Sequence, residues 1–465
     1  MSPRIGVFGI GLAAYWPQFA GMKERLEGYR RVVEERARAF GGEVFSAGLV
    51  DTPEQARAAG QRFLGEDLDL ILCYVATYAT SSQVLPVVQK ARAPVLVLNL
   101  QPSAALDYET ADTAEWLANC SVCAVPEIAN AFARARIDFH LVSGQLHEDA
   151  VAWREIEDWC RAAAVARGIR ECRIGFLGHT YPGMLDMYAD FTTVHAKLGA
   201  HVEILEMDDL AARVAAARAD EVDAKLAAAR ELFSIDGSVA ADDLDWAARV
   251  AVGLDRLAAD FALDGLTYYY RGLDANEFER LGAGFILGNT LLTARGIAAS
   301  GEGDLKTCLA MLMLDRFGAG GSFTEFYAMD FRDNFVLMGH DGPGHIAVSD
   351  ARPVLRGLGL YHGKRGSGVS VEFKVKTGPV TILGLTATAD GELKLVAAEG
   401  ESLPGPILRI GNTNSRLRFG PGPAEFVNRW SMEGPTHHCA LGVGHNMGRI
   451  RKLASLLKIP LAEVK

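Results

Sequence analysis

Short apolar runs alternate with amphipathic stretches through the first part of the chain. Runs rich in β-branched residues predict strands at 4–9, 68–75 and 94–99. Apolar residues at helical spacing predict helices between them, at 22–39 and 53–64. Because strands that are buried on both faces lose the alternation of apolar and polar residues, this order predicts a parallel sheet covered by helices.

A second series of the same kind follows a charged helix predicted at 147–168. RIGFLGHTYPGMLDMYADF contains a strand, a Gly turn and an aromatic loop, and HVEILEM and DGLTYYYRG predict further strands. The segment 210–260 between them is strongly helical in pattern. The sequence therefore predicts a second α/β domain, with His179 and Asp186 in a loop near its cleft.

The pattern changes after about residue 330, where short strands alternate with Gly, Pro and Asn turns. These strands are predicted at 352–361, 369–375, 379–388, 392–400 and 406–412. The expected fold class is α/β, with two doubly wound parallel-sheet (Rossmann-like) domains followed by a C-terminal, mostly antiparallel β-barrel domain. The predicted boundaries are 1–168, 169–329 and 330–465.

Composition and charge narrow the function classes. At 465 residues the chain exceeds what one hydrophobic core usually supports, and its net charge of -11 argues against nucleic acid or a membrane as partner. The N-terminus enters a strand pattern without a leader, and no stretch reaches membrane-spanning length. Seven scattered cysteines fit reduced thiols better than disulfides. We therefore expect a cytoplasmic protein.

The segment 301–345 holds the first candidate site. It opens with the acidic turn GEGD and a helix-length apolar run, and continues through GGSFTEF into the strand DNFVLMGH. Glu325 stands among aromatic residues, where burying a lone carboxylate costs several kcal/mol unless a positive group pairs with it. Asp341 follows in a Gly/Pro turn, with His340 and His345 beside it.

A divalent cation is a suitable partner for these acids, because no Lys or Arg alternates with Glu325 on its segment. Carboxylate oxygens and imidazole nitrogens are donors that ions such as Mn²⁺ accept. The segment therefore predicts a metal site. The alternative interpretation is two turn acids and two surface histidines without a ligand.

Three further patterns carry possible chemistry. The tandem His437 and His438 follow a Pro turn, and because adjacent residues of a strand face opposite ways, at most one is expected to bind a metal. GIGLAA loosely matches the dinucleotide fingerprint, but Asp51 comes too late to be its confirming acid. Cys120 and Cys123 form a Cys-x-x-Cys before a helix start, which we interpret as buried small residues rather than half of a metal site.

The order of these motifs resembles the L-arabinose isomerase family, with L-fucose isomerase as a more distant relative. The resemblance is carried by GEGD-x-KT, GGSF-x-E-x-Y, a strand into GHD, and a late Gly-x-x-His-His. It spans most of the chain. It implies an enzyme that interconverts aldoses and ketoses using Mn²⁺, and an assembly of trimers or hexamers with active sites between subunits.

The resemblance also implies roles for individual residues. Glu325 matches a carboxylate that binds metal and transfers protons, and His438 matches the histidine ligand of the tandem pair. Asp341 stands near a family Glu and resembles the Asp of L-fucose isomerase. The family's intermediate histidine falls near Gly357, so its role passes to another histidine: His345 or His362.

The predicted site therefore has three kinds of residue. Glu325 and Asp341 are the expected catalytic groups, and with His438 they are the expected metal ligands. The expected substrate surface comprises Tyr15, Gln18, Cys123, His340, His345 and His437. In the first domain Cys120 and Cys123 stand where the family has Gln and His, so a different sugar surface is expected.

The sequence is compatible with three functions. The first is a metal-dependent aldose–ketose isomerase acting on a free sugar through an ene-diolate intermediate, because two carboxylates and a cation can move a proton between C2 and C1. A related metal-dependent enzyme could act on another polyhydroxy substrate through the same intermediate. A non-catalytic sugar-binding protein is the third, since paired α/β domains also form hinged binding modules.

Overall fold

The computed structural model describes residues 2–271, 276–359 and 367–465. The chain forms two compact units, Met1–Arg167 and Gly168–Lys465. In the described residues no helix is both long enough and apolar enough to cross a membrane. The three-domain division at 168 and 329 stays a prediction.

The first unit is built on a parallel sheet in the order β2-β1-β3-β4-β5. Its strands are β1 (Arg4–Ile10), β2 (Glu43–Val50), β3 (Leu70–Val75), β4 (Val95–Gln101) and β5 (Phe139–Gln145). Its helices are α1 (Met22–Ala39), α2 (Pro53–Leu64), α3 (Leu85–Val88), α4 (Thr113–Ala118), α5 (Ala124–Arg134) and α6 (Ala150–Arg170). The prediction of a parallel sheet is confirmed.

Local signals set the ends of the helices in this unit. Thr52 accepts a hydrogen bond from the backbone N–H of Gln55, and Pro53 occupies the first turn of α2, where its missing N–H leaves no donor unpaired. Apolar side chains of the sheet and of helices α2, α3 and α5 share one core, which includes Phe63 and Phe132. Burial of that face stabilises helices that would be marginal alone.

The second unit begins with another parallel sheet, in the order β10-β9-β6-β7. Its elements in chain order are β6 (Arg173–Gly178), α7 (Phe191–Leu198), β7 (His201–Leu205), α8 (Met207–Ala215), α9 (Ala219–Leu232), β8 (Ser234–Ile235), α10 (Ala241–Asp260), β9 (Gly265–Tyr269), α11 (Glu277–Ala283), α12 (Phe285–Thr293), β10 (Ala298–Ser300) and α13 (Leu305–Arg316). The second α/β region is therefore confirmed.

The remainder of this unit is largely antiparallel. It contains β11 (Gly320–Asp330), β12 (Phe335–His340), β13 (Val354–Gly359), β14 (Ser367–Glu372), β15 (Gly378–Ala387), β16 (Leu393–Ser402), β17 (Thr413–Arg418), α14 (Pro423–Met432), β18 (His438–Val443), α15 (Met447–Leu457) and β19 (Leu461–Glu463). The main sheet has the order β15-β18-β11-β12-β17-β16-β19, and β15 also pairs with β16. A smaller sheet pairs β14 with β13 and β13 with β8.

One predicted strand is wrong. The described residues 406–412 form a loop, and the strand begins only at Thr413. Asn414 explains the difference, because its side-chain amide accepts from the N–H of Leu408 at 2.8 Å and donates to the Leu408 carbonyl at 3.2 Å. These bonds replace a strand ladder, and such a side-chain substitution for backbone pairing has no periodic signal in sequence.

Candidate active site

Adjacent antiparallel strands bring Glu325 and His438 together. Glu325 on β11 lies directly opposite His438 on β18 and opposite Gly339 on β12. Directly opposed residues of antiparallel strands have Cβ atoms roughly 4.5–5.5 Å apart. Strand pairing therefore joins two residues that are more than a hundred positions apart in sequence.

A first cluster of possible metal ligands consists of Glu325, His340 and His438, whose donor atoms all lie within 4.8 Å of one another. The Phe323 ring packs against both histidines, with centroids 4.4 Å from His340 and 4.3 Å from His438. His438 and His340 are buried, and Glu325 is half-buried. The aromatic contacts hold both imidazoles beside the carboxylate.

Burial changes the acidity of Glu325. It raises the pKa of the carboxyl group, and the nearby Glu302 and Asp341 raise it further. Attraction to His438 and His437 opposes this rise without cancelling it. A carboxyl group with a raised pKa is closer to neutrality and therefore better suited to accept and return a proton.

A second cluster contains Glu302, His437 and His438, again with donor atoms within 4.8 Å of one another. The Glu302 Oε2 atom lies 3.6 Å from Nε2 of His438. From the sequence, GEGD is an acidic turn and part of a motif that carries the family resemblance, but Glu302 is not among the predicted site residues. Its position between two glycines was the available signal, since Gly residues often permit a special backbone conformation.

The GEGD turn holds Glu302 in that conformation. Glu302 has φ 61°, in the left-handed region that non-Gly residues seldom adopt. Its carbonyl accepts from the N–H of Tyr181 at 2.9 Å, and the N–H of Gly303 donates to the Tyr268 carbonyl at 3.0 Å. Gly303 must be glycine, because a Cβ atom there would lie 2.5 Å from the His179 carbonyl oxygen. The backbone thus fixes the direction of the Glu302 side chain.

Asp304 orients the His438 ring through a hydrogen bond to Nδ1. The fully buried Asp304 places Oδ2 3.0 Å from Nδ1 of His438, and it also accepts from the backbone N–H and the hydroxyl of Thr307 at 2.9 and 2.8 Å. Burial alone would raise the pKa of Asp304, but these partners bring it below its ordinary value. A carboxylate accepts hydrogen bonds only, so Nδ1 of His438 donates to Asp304 and Nε2 faces Glu302.

His437 has a partner of the same kind. Its Nδ1 lies 2.7 Å from Oδ2 of Asp186, which also accepts from the backbone N–H of His437 at 2.9 Å. Buried Lys306 secures the Asp186 loop by donating to the carbonyls of Asp186 at 2.7 Å and Tyr188 at 2.8 Å. This loop is the one in which the sequence placed Asp186 near a cleft.

The two tandem histidines lie side by side, contrary to the expectation that they face opposite ways. Their ring centroids are 3.9 Å apart. The strand rule does not apply because β18 begins at His438, so His437 precedes the pleated ladder. Both rings reach the second cluster.

Asp341 lies next to the clusters without belonging to either of them. Its Oδ1 atom is 3.3 Å from Nδ1 of His340, while the backbone N–H of Gly342 donates to the same nitrogen at 3.0 Å. The two contacts require opposite protonation of Nδ1. The amide bond is the shorter, so Nδ1 is the acceptor and Nε2 carries a proton.

His345 belongs to neither of the two clusters of possible metal ligands. Its Nε2 lies 2.8 Å from Oδ1 of Asp315, and its Nδ1 accepts from the N–H of Ala347 at 3.2 Å. Both ring nitrogens are therefore engaged at the start of a short 3₁₀ turn. His362, the other candidate for the intermediate histidine, lies outside the described residues.

The remaining predicted residues belong to the first unit. Tyr15 lies in the turn after β1, and burial, with the nearby Cys120, Tyr78 and Cys123, raises its pKa. Gln18 donates to the Ala14 carbonyl at 2.7 Å.

The two cysteines of the Cys-x-x-Cys pattern differ in exposure. Cys120 is buried as expected, but Cys123 is exposed, so the interpretation of both as buried residues is wrong for Cys123. Cys123 immediately precedes α5 and is not covered by its core face.

A cavity of about 110 Å³ adjoins the clusters in the second unit. Tyr181, Tyr268, Tyr269, Glu302, His340 and Asp341 are among the residues that line it. A larger cavity of about 760 Å³ lies among Trp246, Phe278 and Arg280, away from both clusters. We place the site at the smaller cavity because carboxylates and imidazoles converge there, and convergent polar groups mark a site better than volume does.

Comparison with known families agrees with this geometry. The model of the L-arabinose isomerase central domain matches residues 188–320, and that of the L-arabinose isomerase C-terminal domain matches residues 320–460. Together the two matches cover more than half of the chain. The chain belongs to the L-arabinose isomerase family. Its members are enzymes of the aldose–ketose isomerase class, and the resemblance read from the motifs is confirmed.

The individual relatives of this chain are distant from it in sequence. An L-arabinose isomerase of Acidothermus cellulolyticus is 26% identical over 84% of this chain and 79% of its own length. A sulfoquinovose isomerase of Alkalicoccus urumqiensis is 24% identical over 68% of this chain and 70% of its own length. A periplasmic solute-binding protein of Actinobacillus succinogenes, solved with bound D-allose, has 12% identity, covers 68% of this chain and 92% of that one, and has a TM-score of 0.18.

Proposed function

We propose that this protein is a divalent-metal-dependent aldose–ketose isomerase that acts on a free sugar through an ene-diolate intermediate. The observation that carries the proposal is the pairing of Glu325 with His438 across β11 and β18 in a chain of this family. The paired strands place a carboxyl group of raised pKa beside an imidazole whose Nδ1 is held by Asp304, which leaves Nε2 available to other groups.

The donors fit a divalent cation of the Mn²⁺ class. Such ions accept carboxylate oxygen and imidazole nitrogen, and Glu325 and His438 offer one of each at suitable separation. The sequence also predicts Asp341 as a ligand, and its side chain lines the adjoining cavity. When bound, the cation would stabilise negative charge that develops on the sugar oxygens and make the proton at C2 easier to remove.

The residues of this chain would then handle the protons. Glu325 would remove the proton from C2, and Asp341 would assist the return of a proton to C1 from its position beside the same cavity. His340 would donate its Nε2–H to a sugar oxygen, which agrees with its predicted role in substrate binding. The tyrosines of the cavity would pack against the sugar and exclude water.

The identity of the sugar is a separate proposal. The relatives include one named for L-arabinose and one named for sulfoquinovose, at similar identity to this chain. The second name favours the alternative in which the same ene-diolate chemistry serves another polyhydroxy substrate. Both possibilities use the same carboxylates, so the site predicts the reaction better than it predicts the substrate.

A screen of aldoses and ketoses with added Mn²⁺, followed by NMR, tests the proposal. We expect conversion of at least one aldose to its ketose, and removal of the metal with a chelator should stop it. Binding of a sugar without conversion of any member of the panel would instead support the non-catalytic binding protein.

Two structural proposals accompany the function. The pairings run from β15 through β18, β11, β12, β17 and β16 and return to β15, which supports a closed barrel. The resemblance supports doubly wound folds for the two parallel sheets. A cytoplasmic location stays a prediction.

The family resemblance also supports a homo-oligomer built from trimers. We expect Tyr15, Gln18 and Cys123 of one subunit to approach the metal site of a neighbouring subunit. Light scattering at micromolar concentration should therefore give the mass of a trimer or a hexamer. A mass equal to the single chain of 50.0 kDa would contradict this assembly.

A further inference from the structure

Cys120 and Cys123 bring two free thiols together in the first unit. Their Sγ atoms are 2.8 Å apart, and Sγ of Cys123 also donates to the carbonyl of Cys120 at 3.6 Å. The S–S bond of a disulfide is about 2.05 Å long, so the two sulfur atoms need to approach by less than about 1 Å to become bonded. A disulfide could therefore form with little movement of the chain.

Hydrogen bonds fix the turn that carries the two thiols. The hydroxyl of Ser121 donates to the side-chain oxygen of Asn99 at 2.8 Å, which ties the turn to β4. The N–H of Ala124 donates to the Ser121 carbonyl at 3.1 Å, and the N–H of Cys120 donates to the Leu117 carbonyl at 3.2 Å. Because the fold already holds the thiols in place, their reaction with each other is favoured over that of two mobile cysteines.

The two thiols differ in what can reach them. Cys123 is exposed, whereas Cys120 is only 7% exposed, and burial raises the pKa of Cys120 to about 12. The other five cysteines of the chain are all buried. An oxidant from solution therefore meets Cys123 first, and Cys120 is placed to react with whatever becomes attached to it.

Metal binding by this pair has less support. A tetrahedral thiolate site needs two ligands besides two cysteines. Among residues 2–271, 276–359 and 367–465, the groups of three side chains that could hold a metal ion contain neither cysteine. The pair is therefore better suited to redox chemistry than to a metal.

The two thiols lie at the ligand-binding edge of the first sheet. Ligands of parallel α/β sheets bind beyond the carboxyl ends of the strands, and Tyr15 and Tyr78 follow the ends of β1 and β3. Burial raises the pKa of Tyr15, and Cys120, Tyr78 and Cys123 lie near enough to raise it further. These four side chains therefore share one surface, to which the predicted substrate residues Tyr15 and Cys123 belong.

We propose that Cys120 and Cys123 form a reversible redox switch in the predicted substrate surface of the first unit. Cys123 attacks one sulfur of a low-molecular-weight disulfide, R–S–S–R, so that a mixed disulfide forms and one R–S⁻ leaves with the proton from Cys123. Sγ of Cys120 then attacks Sγ of Cys123, which forms the protein disulfide and releases the second R–S⁻ with the proton from Cys120. Two protein thiols are thereby oxidised, and R–S–S–R is reduced to two R–SH.

The effect of the switch rests on the proposed function, because the switch acts on the sugar surface. Oxidation removes the exposed thiol of Cys123 from that surface and changes no group of the proposed metal site. We therefore expect the KM for the sugar to rise by about 2- to 10-fold, the effect of losing a single hydrogen bond, while Mn²⁺ occupancy stays the same.

Oxidation of the wild-type protein by glutathione disulfide tests the switch, with alkylation after denaturation and mass spectrometry as the measurement. All seven cysteines should be alkylated in the reduced protein, and two fewer in the oxidised protein. The loss should be confined to the peptide that contains Cys120 and Cys123. Dithiothreitol should restore both thiols and the original KM.

Three variants separate the steps. Cys120→Ser should stop at a glutathione adduct on Cys123. Cys123→Ser should form neither an adduct nor a disulfide, because Cys120 is buried. Val122→Ala is the matched control, since it changes an exposed residue between the two cysteines and should form the disulfide as the wild-type protein does.

The outcomes separate the switch from the proposed function. Seven alkylated cysteines after oxidation, or a disulfide that leaves the KM unchanged, would overturn the switch and leave a metal-dependent isomerase intact. A reversible disulfide in a protein that converts no sugar of the NMR panel would support the thiol chemistry but overturn the proposed function, and with it the effect on the sugar.

Discussion

Glu325→Gln is expected to lower the turnover of the sugar found in the NMR screen by about 10² to 10⁴, the usual contribution of a general base. The substitution keeps the size of the side chain but removes the charge and the proton acceptor. Loss of the carboxylate also removes a hard oxygen donor, so Mn²⁺ occupancy should fall and deepen the loss. Initial rates at saturating Mn²⁺, with bound metal measured on the same samples, check this expectation.

Two control variants show whether the loss of turnover is specific to Glu325. Glu401→Gln changes an exposed glutamate on β16 of the same sheet and should leave turnover unchanged. Cys123→Ala should alter which sugar is preferred while leaving Mn²⁺ occupancy intact, because Cys123 belongs to the predicted substrate surface. Near-normal turnover by Glu325→Gln would mean that the active site lies elsewhere.

Asp304→Asn should weaken Mn²⁺ binding by about 10- to 100-fold, because partners that orient a metal-ligating histidine contribute that much. Asparagine keeps the shape of the side chain but offers His438 a neutral partner, so the Nδ1–H tautomer is no longer enforced. Since Asp304 also caps α13, Asp304→Ala should in addition lower the free energy of unfolding by about 0.5–2 kcal/mol.

Asp190→Asn provides the matched control for this effect. Asp190 caps α7 through the same backbone and threonine hydroxyl bonds, but within the described residues these bonds go to Thr192 and Thr193 and not to a histidine. Its substitution should lower stability slightly and leave Mn²⁺ binding unchanged. Equal Mn²⁺ affinities for Asp304→Asn and Asp190→Asn would show that Asp304 is only a helix cap.

Much of the fold could be predicted because its signals are local. Helices α1 and α2 occupy the predicted ranges, since Gly21 in the left-handed conformation and the Thr52 cap define their starts. The loop at 406–412 could not be predicted in this way. Its conformation depends on the side chain of Asn414, which lies beyond the segment itself.

Part of the site could be predicted because some of its residues stand out in the local sequence. The sequence marks Glu325 as an isolated acid and His438 as one of a tandem histidine pair, and the structure brings them together. Glu302 and Asp304 were missed because their importance comes from long-range contacts with His438, more than 130 residues away. The direction of the His437 ring depends on where β18 begins, and strand ends are poorly defined by sequence pattern.

The most direct test of the account is the rate of aldose–ketose conversion as a function of Mn²⁺ bound per chain. Metal-free protein should convert no sugar of the NMR panel, and the rate should rise in proportion to bound Mn²⁺ until the site defined by Glu325 and His438 is filled. A metal-free protein that converts the sugar at the rate of the Mn²⁺-loaded protein would contradict the account.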